Sequence, residues 1–171
     1  HAASMGITAL LIAGAADVAY EALKRNLPPT ARKKNSWQYP AAPYVSSQQI
    51  AGENGEFGAG GDWLTGAAAW SLRATQQFML GVSPEYDGLH INPVLPNEWK
   101  EITVTRKFRG AKYKITVTNP EHISQGIKLI FVDGKSINPN QALPNKKKKY
   151  EVEVIVIMGK SSSSPVQKQS I

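Results

Sequence analysis

The 171-residue chain has no cysteine and no apolar run long enough to span a bilayer, which takes about 20 residues. The first absence excludes a disulfide framework, thiolate metal ligands and a cysteine nucleophile. The second excludes a membrane-spanning helix. Histidine is scarce too: the three in the chain stand far apart without metal-ligand spacing, so no metal site is expected. No charged leader precedes the apolar stretch 2–13, so that stretch does not read as a signal peptide. The chain opens on His1 with a helical pattern already under way, as a piece of a longer protein would.

What is present divides into two kinds. Residues 1–99 carry 6 Lys and Arg against 8 Asp and Glu, whereas residues 100–171 carry 14 against 5. Such asymmetry fits a polyanion-binding module. Four of those positive charges, however, are the single run 146–149, which reads as solvated loop. No RNP-type aromatic motif or helix-turn-helix pattern supports nucleic acid as a partner.

The first half is helical in pattern. Residues 2–13 end at Gly14 and residues 15–27 end before Pro28-Pro29, which predicts a helical hairpin. In its second helix Val18, Ala19, Ala22 and Leu23 are expected inward, with Asp17, Glu21, Lys24 and Arg25 outward. Residues 28–43 form a proline-studded connector. Residues 44–51 are open between a short helix and an irregular turn. A loop over 53–61 then leads to a helix from about residue 65 to 80, closed by Gly81 as a left-handed cap. The second half alternates as strands do. Residues 101–108 and 111–118 flank a hairpin turn at Arg109-Gly110, and 126–133 runs into a second turn at Asp133-Gly134. In 150–157, Tyr150, Val152, Val154 and Val156 are expected inward. Residues 160–171 have the composition of a disordered tail. Helices followed by strands, without interleaving, mean an α+β chain of two packed units.

The stretch GAGGDWLTGAAAW over 58–70 concentrates the functional question. A helix start carries unpaired N–H groups and partial positive charge, and so holds a phosphate well. Gly66 has no Cβ to keep an anion away from the backbone, and Thr65 adds a hydroxyl. The bland alternative is that Asp62 or Thr65 simply caps the helix. An inward-pointing Asp62 carboxylate would even repel an anion.

A longer ordered set of motifs bears on that choice. It comprises Gln48 after Pro43-Tyr44-Val45, then Ile50-Ala51-Gly52, the Trp63–Trp70 stretch WLTGAAAW, Leu80-Gly81, PEYDGL over 84–89, Ile91-Asn92-Pro93 and PNEW over 96–99. Further on come TRKFRG over 105–110, Tyr113, Asn119-Pro120 and VDGK over 132–135. In this the chain, from residue 1 to about 159, resembles the C-terminal portion of the inverting glycoside phosphorylases of glycoside hydrolase family 94. Cellobiose, cellodextrin and chitobiose phosphorylases belong there. The resemblance implies the last helices of an (α/α)6 barrel with a connecting segment over 1–99, and a small antiparallel, sandwich-like β-domain over 100–159. It implies phosphate-binding residues at His1, Gln48, Thr65 and Gly66, with Gln49 competing for the role of Gln48. It also implies a general-acid Asp upstream of His1, so that no catalytic residue is assigned here and the isolated segment is expected to be inactive. No cofactor is implied; inorganic phosphate and a β-linked oligosaccharide are the substrates. No membrane partner is expected, a homodimer stays open, and the location implied is cytoplasmic.

Other residues are read more plainly. His90 in the alternating LHIN segment reads as structural and His122 as a loop histidine. Trp63 and Trp70, seven apart on one helix face, read as core, while Trp37 in the connector is a candidate border of the sugar site. Two other functions remain open: a non-catalytic carbohydrate- or polyanion-binding module, and a related barrel hydrolase using a water-activating carboxylate.

Overall fold

A computed structural model describes residues 1–27, 44–53, 56–63, 65–145 and 151–160. Trp37, Tyr150, the lysine run 146–149 and the tail beyond Lys160 lie outside the described residues.

The chain begins with two antiparallel helices, α1 (Ala2–Ile12) and α2 (Ala16–Asn26). Gly14 at φ 78° makes the turn between them. α2 buries Ala16, Ala19 and Leu23, at 3.6-residue spacing, and keeps Asp17 in its first turn and Lys24 and Arg25 in its last, as the helix dipole favours. Val18, expected inward, is 59% exposed. The small residues Ala16 and Ala19 let the helices approach more closely than a valine would, which rotates Val18 to the outer face.

Residues 44–61 hold the largest departure from expectation. In place of a helix or loop they hold two strands, β1 (Gln49–Glu53) pairing antiparallel with β2 (Glu56–Gly60). The glycine-rich composition of FGAGG conceals a strand because glycine carries little β-propensity. The pairing is supplied by the partner strand instead. The next helix, α3 (Ala67–Arg73), continues directly into a π-helical turn over Ala74–Met79. Gly81 follows at φ 68°, the left-handed stop that the sequence implies.

After a short ladder between β3 (Val82–Pro84) and β4 (Leu89–Ile91) comes a five-stranded sheet. Its strands are β5 (Glu101–Phe108), β6 (Ala111–Thr118), β7 (Ile127–Val132), β8 (Lys135–Ile137) and β9 (Glu151–Met158). Both short turns have two successive positive φ angles, Arg109 (47°) with Gly110 (84°) and Asp133 (48°) with Gly134 (77°). That is the twist a tight hairpin requires. The spatial order is β5-β6-β9-β7-β8, and β9 runs parallel to β6 and antiparallel to β7. The expected all-antiparallel domain is therefore a mixed sheet. β9 inserts between β6 and β7 because Val152, Val154, Val156 and Met158 are then fully buried on one face.

That face is covered by residues of the 82–99 segment, among them Val82, Leu89, Ile91 and Leu95, together with Leu143. A second core lies between the helices, built on Ile7, Leu11, Ala19, Leu23, Ala74 and Met79. Trp99 packs against both, its ring meeting that of Tyr20 edge-on at 5.0 Å. Beside it, the Asn97 N–H and Nδ2 donate to the two Asp17 oxygens at 2.9 and 2.8 Å. This aromatic pair and forked hydrogen bond tie α2 to the segment leading into the sheet, and Arg106 Nη1 donates from β5 to Gln76 Oε1 in the π-helical turn at 3.4 Å.

Candidate functional site

The four residues singled out for phosphate come from three separate stretches, and the fold draws these stretches together. α1 leads α3 into place through Ser4, which is completely buried. Its hydroxyl donates to the Ala67 carbonyl at 3.3 Å, lies 2.9 Å from Ser71 Oγ, and accepts from Asn26 Nδ2 at 3.2 Å. One hydroxyl thus joins α1, α2 and the first turn of α3. With the helices so fixed, His1, the residue before α1, lies at the start of α3. A Cβ built on Gly66 would stand 2.7 Å from His1 Cε1 and 3.1 Å from Nε2. Gly66 has φ −81°, which any residue adopts, so this glycine supplies room for the imidazole rather than a special backbone angle.

Gln48, just before β1, reaches the same place. The His1 backbone nitrogen donates to the Gln48 carbonyl at 3.0 Å, and Gln48 N–H donates to the Gly60 carbonyl at 3.2 Å. Its carboxamide lies along Gly61, where a Cβ would stand 2.5 Å from Oε1. Gly61 at φ 66° therefore serves both conformation and space. Gln49, the competing residue, pairs with Gly60 in the ladder, and its side chain lies against that glycine.

Thr65 does cap in part: its Oγ1 accepts from the Ala67 N–H at 3.0 Å. The hydroxyl proton is not used by that contact and remains available to donate elsewhere. Asp62 shows no cap contact with the helix; its carboxylate accepts a short hydrogen bond from Ser47 Oγ. That contact also closes the base of the β1–β2 pair.

Other expectations resolve clearly. Trp63 is 83% exposed and precedes the helix, at φ 56°, so it is not core and shares no helix face with Trp70. Trp70 is partly buried and its Cδ1 borders Gly66. Tyr44, 80% exposed at φ 61°, was not singled out in sequence; an aromatic after Pro43 carries no signal for a left-handed backbone. Ser4 escaped notice too, though its alignment with Thr8 one turn later on an otherwise apolar helix is a detectable sign of a buried polar seam. His90 Nε2 lies 3.0 Å from both Asp87 oxygens, and that contact holds the Asp87 carboxyl below its ordinary range. His122 donates from Nδ1 to the Asn97 carbonyl at 2.8 Å. Asp133 Oδ1 accepts from Glu153 N–H at 3.2 Å. Asp17, Asp62, Asp87 and Asp133 thus each have a structural partner. Among the described residues no three His, Asp or Glu side chains gather as a metal site requires, and no helix is long and apolar enough to cross a membrane.

A helical unit carrying this polar cluster and a β-unit after it make an α+β chain, and comparison with known proteins gives its family. Residues 1–81 belong to the glycosyl hydrolase 94 superfamily, catalytic domain, and residues 83–124 match the glycosyl hydrolase family 65 C-terminal domain. Several relatives are carbohydrate phosphorylases. The chain is 36% identical over 121 residues to the N,N'-diacetylchitobiose phosphorylase of Vibrio proteolyticus and 39% identical over 121 residues to that of Vibrio furnissii. Each match covers 70% of this chain and 15% of the relative. It is 32% identical over 141 residues to the solabiose phosphorylase of Paenibacillus borealis, covering 80% of the chain and 18% of the relative. The chain therefore spans less than a fifth of the length of these relatives.

Proposed function

We propose that this chain forms the phosphate-holding part of an inverting β-glycoside phosphorylase. The whole enzyme would convert a β-linked glycoside and phosphate into an α-sugar 1-phosphate and a shortened acceptor, in the cytoplasm. The observation that carries the reading is the seating of the His1 imidazole on Gly66, with Gln48 bonded to the His1 nitrogen. Three remote stretches converge on one helix start, and their side chains are an imidazole, a carboxamide and a hydroxyl.

Those groups suit a nucleophilic phosphate. In inverting phosphorolysis a phosphate oxygen attacks the anomeric carbon while an acid on the opposite face protonates the leaving oxygen. The dianion must be oriented without a tight ion pair that would quench its nucleophilicity. Directed donors do this: the imidazole N–H of His1, the Gln48 amide, the Thr65 hydroxyl and the Gly66 N–H. The family resemblance implies that this acid is an Asp upstream of His1, outside this segment. Chitobiose-type and solabiose-type disaccharides, named for the relatives, are the first substrates to try.

The test is kinetic. Thr65→Val in the complete enzyme should raise the phosphate KM about tenfold, the loss of one hydrogen bond to a charged group, and move the sugar KM far less. Equal losses for both would remove Thr65 from the phosphate site. The isolated 171-residue segment should show no phosphorolysis; turnover by it alone would overturn the missing-acid argument.

A further inference from the structure

The imidazole of His1 meets a second aromatic ring at Gly66. A Cβ built on that glycine would stand 2.7 Å from His1 Cε1 and 3.2 Å from Trp70 Cδ1. The two rings therefore flank one point on the backbone. Helix geometry accounts for the indole. The Trp70 N–H donates to the Gly66 carbonyl at 2.8 Å, and side chains on a helix lean back over the preceding turn. Residue 70 thus covers residue 66. The indole has a neighbour of its own. The Arg73 guanidinium lies 5.3 Å from the Trp70 ring and 5.7 Å from that of Phe78. Arg73 Nε also donates to Gln77 Oε1 at 3.0 Å. The π-helical turn brings this about, since its i→i+5 spacing sets residue 78 beside residue 73. Phe78 in turn packs against the helical core.

We propose that Trp70 is a positioning residue for the His1 imidazole, with Arg73 steadying the indole. This rests on the phosphorylase reading above, in which that imidazole donates to phosphate. The hydrogen bonds at His1 fix its main chain: its nitrogen donates to the Gln48 carbonyl, and its carbonyl accepts from the Ser4 and Met5 N–H groups. They leave the side-chain torsions open. An imidazole turns about two bonds, and its N–H must point at one place to serve a phosphate oxygen. Gly66 gives the ring room, and the rigid indole beside it limits which rotamers fit that room. The attraction of a guanidinium for the indole keeps the indole itself from swinging. A misplacement of about 1 Å costs on the order of 100-fold in rate, so the seat of this ring bears directly on the use of phosphate. Trp70 touches no substrate in this arrangement and acts through His1.

The experiment uses the complete enzyme, inorganic phosphate and the β-linked disaccharide that it consumes fastest from a panel. Trp70→Ala should raise the phosphate KM roughly three- to tenfold, as misplacing a positioned group does, and the disaccharide KM by less than about twofold. Trp70→Phe, which keeps a flat ring, should recover much of the loss. Arg73→Met keeps the stem, removes the charge over the indole, and should raise the phosphate KM about two- to threefold. A double-mutant cycle decides the matter. In a His1→Ala background, Trp70→Ala should change the phosphate KM by less than about twofold, since its effect passes through the missing ring. A full additional rise there refutes the positioning role, as does a parallel rise of the phosphate and disaccharide KM. If His1→Ala raises the phosphate KM but folded Trp70→Ala matches the parent, the proposal fails and the phosphate reading stands. If Trp70→Ala does not fold by circular dichroism, Arg73→Met carries the cycle instead, and a parental phosphate KM in it refutes the proposal. If His1→Ala leaves the phosphate KM unchanged, or no disaccharide is consumed, the phosphorylase reading itself fails and the positioning role falls with it.

Discussion

The imidazole of His1 lies against the α-carbon of Gly66, so close that a β-carbon there would stand 2.7 Å from Cε1. The backbone at Gly66 tolerates any residue, so Gly66→Ala tests proximity separately from conformation. The methyl would push the ring aside and partly cover the helix start. Phosphate KM in the complete enzyme should rise roughly tenfold or more, as misplacement of a positioned group costs. Stability should fall by no more than about 1 kcal/mol, the cost of alanine at a helix N-cap. A variant with unchanged phosphate KM would detach His1 from the site.

Gly81 is the opposite case. It sits at φ 68°, and a Cβ there would lie 2.2 Å from the Asn92 carbonyl carbon and oxygen and from Pro93 N. These are backbone atoms that cannot swing away. Gly81→Ala should therefore destabilise by about 3 kcal/mol or more, combining left-handed strain with overpacking. Chemical denaturation of the segment gives the number. A loss below about 1 kcal/mol would mean that the junction from the π-turn to β3 can slide.

Ser4 connects three helices through one buried oxygen. Ser4→Ala leaves the Ala67 carbonyl, Ser71 and Asn26 short of a partner, at a cost of about 1–3 kcal/mol. Because α1 then slackens against α3, the same variant should raise phosphate KM without touching phosphate. Ser4→Ala with wild-type stability would show that water replaces the hydroxyl.

The Asp87–His90 contact predicts an acid limb. The Asp87 carboxyl is held below its ordinary value chiefly by its hydrogen bond to His90. The folded state thus favours the ionised form, and the stabilisation is present above the ordinary carboxylate pKa of about 4. It is lost as pH falls through the lower folded value. Asp87→Asn should lower stability slightly at neutral pH, where the ionised contact is present, and flatten its decline with acid below about pH 4. Since the pair is exposed, the effect is small, and parallel acid titrations of both proteins are needed to see it. Identical slopes would show that the contact does not persist in solution.

The strand segments were legible in the sequence because strand periodicity and turn chemistry are local. Alternation over 101–108 and 111–118 and the pairs Arg109-Gly110 and Asp133-Gly134 define their own geometry. The helix stop at Gly81 is local in the same sense. The strand pair β1 and β2 was not legible, since its strands are held by each other and not by side-chain preference. Nor was the partner of Asp62 legible, since Ser47 stands 15 residues away.

What the sequence by itself determined is the character of the segments outside β1 and β2: which stretches are helix or strand, where they turn, and which residue types are available for chemistry. Only the tertiary structure decided that β9 runs parallel beside β6, that Trp63 faces outward, and that His1 meets Gly66 across 65 positions. The reason is that backbone angles and periodicity depend on near neighbours, whereas strand order and side-chain meetings depend on which arrangement buries the most apolar surface while pairing the polar groups. That choice is made by the whole chain at once.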